Sequence, residues 1–386
     1  MHRREMLQIA GMATVSMLAP WLSRTTRAAD EIVIGAVVPI TGPLSLSGRQ
    51  YYDSLQMAQD DINARGGING KKLKIVFEDT QASNSIAVNA FVKLYQEYRP
   101  PLVFLSSYST QNLATAPEVA KVQIPVFYAG GADIVAEQNN KWLFRIRPND
   151  GAAASAMVQF VKNSLKKSKP GILYIQNDFG QGGTRVAADT FKKQGITVVG
   201  NEAYGQNDKD MSAQILSLKG KGADVLLAFV YPADGALLVQ QIKQLGIDVP
   251  IVASSALYLP AALNLLAPQD LEGVWGVVDA YLDPTQDERV RSFIERYQKR
   301  FGRDADPYAA SYYDAAMIMA QGLAKVGPDG AKLRDYIAGV KNYKGIGHTY
   351  TFDAIGNGVH DVAVVKTKPG SKVLTLVERI TLPPRE

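Results

Sequence analysis

The sequence predicts an α/β fold of two doubly wound lobes with parallel-rich sheets. Short β-branched runs alternate with amphipathic helical stretches, which is the pattern of βαβ units. The alternation runs once to about residue 146 and then restarts. A chain of 386 residues, 46% apolar and 20% charged, is also long enough to bury two cores.

The first strand, 32–38, is apolar throughout, as a strand covered on both faces should be. Pro39 and the turn at Thr41-Gly42-Pro43 end it. A helix over 48–64 follows, with Leu55, Ala58 and Ile62 on one face and Gln59, Asp60 and Asn63 on the other. Gly66-Gly67 supplies its left-handed stop. Strands at 73–77, 102–105 and 125–128 alternate with helices at 83–95 and 110–122. After FRIRP at 144–148, a helix over 150–164 opens the second block. Its strands are 172–175, 197–202, 225–229 and 251–252; its helices are 182–194, 212–219 and 233–245. A strand at 273–278 precedes helices at 288–301, 308–326 and 333–340, and strands at 350–352, 362–366 and 373–379 close the chain. No period of 20–50 residues occurs, which excludes a solenoid.

Residues 1–28 read as an export signal with a twin-arginine character. A basic start (His2-Arg3-Arg4) leads into an apolar stretch from Met6 to Leu22, and Thr26 and Ala28 form an A-x-A-like cleavage site before Ala29. Gly11 and Pro20 interrupt the stretch, which falls short of a membrane span. The expected location is the periplasm. These residues hold four arginines against one glutamate, so the remainder carries 38 basic and 36 acidic residues. No basic stripe remains to neutralise phosphates, which excludes nucleic acid as a partner. The absence of cysteine excludes disulfides, thiolate metal sites, a cysteine nucleophile and a lipid-attachment cysteine.

Catalytic signatures are missing. Beyond the signal the histidines are His348 and His360, read as ordinary surface or strand residues, and no HExxH or GxSxG occurs. Gly180-Gln181-Gly182-Gly183 lacks both the Walker lysine and the Rossmann spacing, so it reads as a strand-to-helix turn. No nucleophile–base–stabiliser set can be assembled, and the chain is read as a non-enzyme without metal or cofactor.

In doubly wound sheets ligands bind beyond the carboxyl ends of the strands. The residues there are small, hydroxylic or aromatic: Thr41, Ser106 to Thr110, Gly130-Gly131, Asn177 to Phe179, Tyr231 and Ser254-Ser255. LSSYSTQN, at 105–112, joins a strand to a helix start. Its hydroxyls suit helix caps, while the free amides and positive helix end suit a ligand carboxylate.

IGAVVPITGPLSLSG and DINARGGINGKKLKIVFEDT, with LSSYSTQN, DFGQGG, FVYPADG and SYYDAA, make the chain resemble the leucine/isoleucine/valine-binding protein family. These are type I periplasmic receptors of ABC importers, and the likeness spans essentially all of the chain after the signal. It implies a Venus-flytrap fold with crossings near 147–149, 277–280 and 347–351. One lobe then comprises 29–148 with 279–349, and the other 149–278 with 350–386. It also implies that Ser107, with Tyr108 and Ser109, and the turn Gly130-Gly131-Ala132 hold the ligand carboxylate. Phe179, Tyr231 and Tyr313 are implied to cover its side chain.

Two positions depart from the family. Ala132 stands where leucine-binding members have threonine, and Ser255, in VASSAL, stands where they have the glutamate that pairs with the ligand ammonium. An unpaired buried ammonium is costly. Either Asp133, Asp178 or Asp234 substitutes, or the ligand lacks an ammonium, as an aromatic acid does; Asp178 in DFGQ and Asp234 in YPAD equally suit helix caps. The expected function is capture of an amino acid or related small carboxylate by a monomer, for delivery to a permease driven by a partner ATPase. Rival readings are a sensor for a signalling partner and an exported enzyme.

Overall fold

The computed structural model describes residues 31–206, 208–285 and 287–381; the expected signal and its cleavage site lie outside them. The chain opens with β1 (Ile32–Val38), α1 (Ser45–Ala64), β2 (Leu73–Asp79), α2 (Asn84–Tyr98), β3 (Val103–Leu105), α3 (Ser109–Val122), β4 (Val126–Tyr128), α4 (Asp133–Ala136) and β5 (Leu143–Arg145). These strands form one parallel sheet in the order β2-β1-β3-β4-β5. The β-branched run of β1 is central and buried, with α1 and α2 on opposite faces. Gly67 ends α1 as expected: it has φ +73°, and a Cβ there would meet the Lys71 carbonyl oxygen.

The second block contains α5 (Asp150–Asn163), β6 (Pro170–Ile175), α6 (Asp178–Lys193), β7 (Gly200–Tyr204), α7 (Ser212–Gly220), β8 (Val225–Phe229), α8 (Pro232–Gln244), β9 (Ile251–Ser254), α9 (Pro260–Leu263) and β10 (Val274–Val278). Then come α10 (Glu288–Phe301), α11 (Pro307–Val326), α12 (Gly330–Ala338), the short pair β11 (Tyr343–Lys344) and β12 (Thr349–Tyr350), β13 (Asp361–Thr367) and β14 (Leu374–Thr381). The second sheet has the order β14-β13-β10-β9-β8-β6-β7. Only its β13 and β14 pairings are antiparallel. Helices cover both faces of each sheet, which is the doubly wound arrangement, while α10–α12 pack on the core of the first.

Several boundaries differ from expectation. Helix α6 starts at Asp178 rather than 182, because the Asn177 side chain accepts the Gly180 amide and makes DFGQGG the first helical turn. Strand β7 starts three residues later than expected and ends two later, and β5 falls within the segment read as a connection. Tyr350, Phe352 and Val359 are buried in the first sheet's core, and the chain first joins the second sheet at Asp361. The last passage between sheets therefore lies after 359 instead of at 347–351. His348 is buried rather than superficial and bonds Ser311 Oγ at 3.2 Å; burial lowers its pKa, so the imidazole is neutral.

Candidate ligand-binding site

Segments leaving the carboxyl ends of β3, β4, β6, β8 and β9 converge between the lobes on a cavity. It encloses about 440 Å³ of empty space, open solvent at its mouth included. The lobes touch around it. Tyr108 meets Tyr231 edge-on at 5.5 Å, Ser255 Oγ lies 3.5 Å from Tyr308 Oη, and Leu259 packs into the first lobe's core.

Local sequence explains the first-lobe wall. Ser106 Oγ accepts the Tyr108 amide at 3.3 Å and donates to Gln111 Oε1 at 2.8 Å, which folds the loop before α3. Tyr108 is the N-cap of α3 and has no capping side-chain hydrogen bond. Within the described residues, the amides of Ser109, Thr110 and Gln111 donate to no group of the chain. Six other helices (α2, α5, α6, α10, α11 and α12) are capped by their N-cap side chains. The serines of LSSYSTQN thus brace the loop and leave the helix end uncapped. Ser107 Oγ lies 2.5 Å from Tyr51 Oη, and Tyr51 stacks on Tyr312 at 4.6 Å.

The second lobe presents a matching end. Tyr231 is the N-cap of α8, again without a capping side-chain bond, and Asn177 Nδ2 donates to its hydroxyl at 3.0 Å. Phe179 stacks parallel to Tyr231 at 5.7 Å. Burial pushes the Tyr108 hydroxyl up to about 12, partly offset by hydrogen bonds with Ser47 and Tyr51, and raises those of Tyr231 and Tyr308 as well. All three remain protonated donors at neutral pH.

Of the residues expected at the site, Ser107, Tyr108, Ser109, Gly131, Phe179, Tyr231 and Ser255 line the cavity. Gly130, Ala132 and Tyr313 do not. Gly130 lies against α3, where a Cβ would collide with Asn112 Oδ1. The Ala132 amide is already donated to Ser109 Oγ at 3.0 Å, so it holds the turn rather than a ligand. Tyr313 points away to Asp61 Oδ2, 2.6 Å distant, and to Phe293. Tyr308 reaches the cavity and Tyr312 backs Tyr51, because residues four apart share a helix face and residue 313 is turned about 100° from 312. None of Asp133, Asp178 and Asp234 lines the cavity. Asp133 lies 3.9 Å from Arg145, and Asp234 accepts Tyr204 Oη at 3.0 Å and lines a pocket at the mouth. The N-caps of α6 and α8 are Asn177 and Tyr231, so Asp178 and Asp234 are first-turn residues and not caps.

Sequence reasoning missed Ser47, Tyr51, Arg147, Tyr308 and Leu259 as lining residues. Arg147 is buried. It donates from Nε and Nη2 to Asp279 at 2.6 and 2.8 Å and from Nη1 to Asp150 at 3.1 Å. Burial opposes its charge, yet Asp279 and its other neighbours outweigh this and hold the guanidinium firmly protonated. A signal was present: an arginine in a lobe crossing beside a cleft has few routes to solvent.

Comparison with known proteins agrees with this architecture. Residues 31–372 match the family described as periplasmic binding protein. Leu/Ile/Val-binding protein homolog 7 of Brucella abortus (strain 2308) is 26% identical over 349 residues, covering 84% of this chain and 86% of that protein. Homolog 8 of the same strain is 28% identical over 315 residues, 77% of each chain. A leucine-binding protein of Thermotoga maritima superposes with a TM-score of 0.83 at 22% identity, covering 91% of this chain and 99% of the other. The branched-chain amino acid transporter substrate-binding protein of Streptococcus pneumoniae, in complex with isoleucine, gives 0.82 at 21% identity, covering 92% and 100%. The chain belongs to the periplasmic binding protein family, with the type I fold.

Proposed function

We propose that this chain is the solute-binding component of an ABC import system, exported to the periplasm, and that it takes an amino acid of the branched-chain kind or a related small carboxylate. The observation that carries this reading is the open first turn of α3. Its first residue, Ser109, lines a cavity closed by both lobes, with the Ser107 hydroxyl alongside. Unpaired amides and the positive helix end favour a carboxylate there. Phe179, Tyr231 and Tyr308 offer apolar surface to the rest of the molecule.

The lobes act as the moving units, joined by crossings at 146–149, from 279 onward and near 360. A ligand that touches both lobes stabilises the closed state in proportion to contacts the open state lacks. The closed form then docks on a permease whose partner ATPase supplies the energy.

Titration calorimetry of the purified protein against amino acids and small organic acids tests this. At least one small carboxylate should bind, and Ser107→Phe should weaken it about tenfold or more by filling the space beside the helix end. Binding by no small carboxylate, or an unchanged Kd in the variant, contradicts the reading.

A further inference from the structure

Among the described residues no aspartate or glutamate lines the cavity, and its sole charged side chain is Arg147. Asp279 and Asp150 both bond Arg147; Asp150 lies behind Gly131, whose missing Cβ would overlap its Oδ1, and its buried Oδ2 has no hydrogen-bond partner among the described residues. Asp306 accepts the Ala309 amide at 2.8 Å. Asp234 faces the mouth.

The other polar side chains of the wall are serine and tyrosine hydroxyls. The buried tyrosines hold their protons, so no phenolate supplies negative charge. Helices α3 and α8 both direct uncapped N-termini at the cavity, and their partial positive ends repel a cation. The parallel pair Phe179–Tyr231 and the edge-on Tyr108 suit a flat or apolar body.

We propose that the cleft selects carboxylates without an ammonium group, taking 2-oxo acids and aromatic acids in preference to the corresponding amino acids. This rests on the carboxylate-receptor reading above and names its ligand class. An ammonium entering the closed cleft exchanges water for neutral hydroxyls and positive helix ends, whereas a keto oxygen there accepts hydrogen bonds from those same hydroxyls.

Matched pairs test it by calorimetry: 4-methyl-2-oxopentanoate against leucine, and phenylpyruvate against phenylalanine. Each pair shares its carboxylate and side chain and differs only at the second carbon. The oxo acid should bind about 100-fold more tightly or better, the discrimination expected when a buried charge finds no partner. Equal or tighter binding of the amino acids overturns the ligand class and leaves the receptor reading intact. Binding by neither pair and by no other small carboxylate removes both.

Ser255→Glu supplies the missing charge, with Ser255→Gln as the control for bulk. Glutamate alone should raise leucine affinity about tenfold or more and weaken the oxo acid. The same change with glutamine, or none with glutamate in a variant whose circular dichroism is native, overturns the proposal.

Discussion

Arg147 illustrates what a sequence holds at the scale of one residue and what it hides. Its position in FRIRPND marks the first crossing, but the partner that makes the side chain buriable, Asp279, lies 132 residues away in the second crossing. The bidentate pair ties two crossings together beside the cavity. Arg147→Met should leave Asp279 and Asp150 buried without a counter-charge and cost about 3–5 kcal/mol, read as a lower urea midpoint. A midpoint unchanged from wild type would show that the pair carries no such stability. The serines at 106–109 were legible because they follow a strand and open a helix. The choice of tyrosine in SYYDAA was not, because α11 is buried on nearly all faces and no polar stripe fixes its rotation. Ser107, Phe179 and Tyr231 reach the cavity through strand ends that the pattern placed well; Tyr308 required the helix phase.

At the scale of elements, helix positions were readable and their ends less so. Apolar periodicity identifies a face, whereas termini depend on single capping side chains such as Asn177 at α6. Strand β5 escaped because the polar-interrupted run FRIRP, at 144–148, reads as the passage to the second block. The cap of α11 makes a pH prediction. Asp306 is buried, and burial raises its pKa to about 7, against about 3.9 for an unfolded chain. The folded state therefore holds the proton more tightly between these values, and this group's contribution to stability falls as pH rises from about 4 to about 7. Asp306→Asn keeps an oxygen for the Ala309 amide and cannot ionise. Its Tm relative to wild type should climb between pH 5 and pH 8; a constant difference would show that burial does not raise the Asp306 pKa in the folded state.

At the scale of the molecule, two alternating blocks were enough to indicate two doubly wound lobes. The position of the last crossing was not, because the apolar residues Tyr350, Phe352 and Val359 suit either core, and only packing assigns them to the first. The lobes meet through residues far apart in sequence, such as Tyr108 with Tyr231, which no local pattern contains. These contacts surround the open end of α3, where the account places the ligand's charge. A crystal structure of the protein with a bound small carboxylate measures that placement directly. Carboxylate oxygens should lie about 2.9 Å from amides in the first turn of α3, with the remainder of the ligand touching Phe179 or Tyr231. A carboxylate held elsewhere, or a ligand in contact with only one lobe, would contradict it.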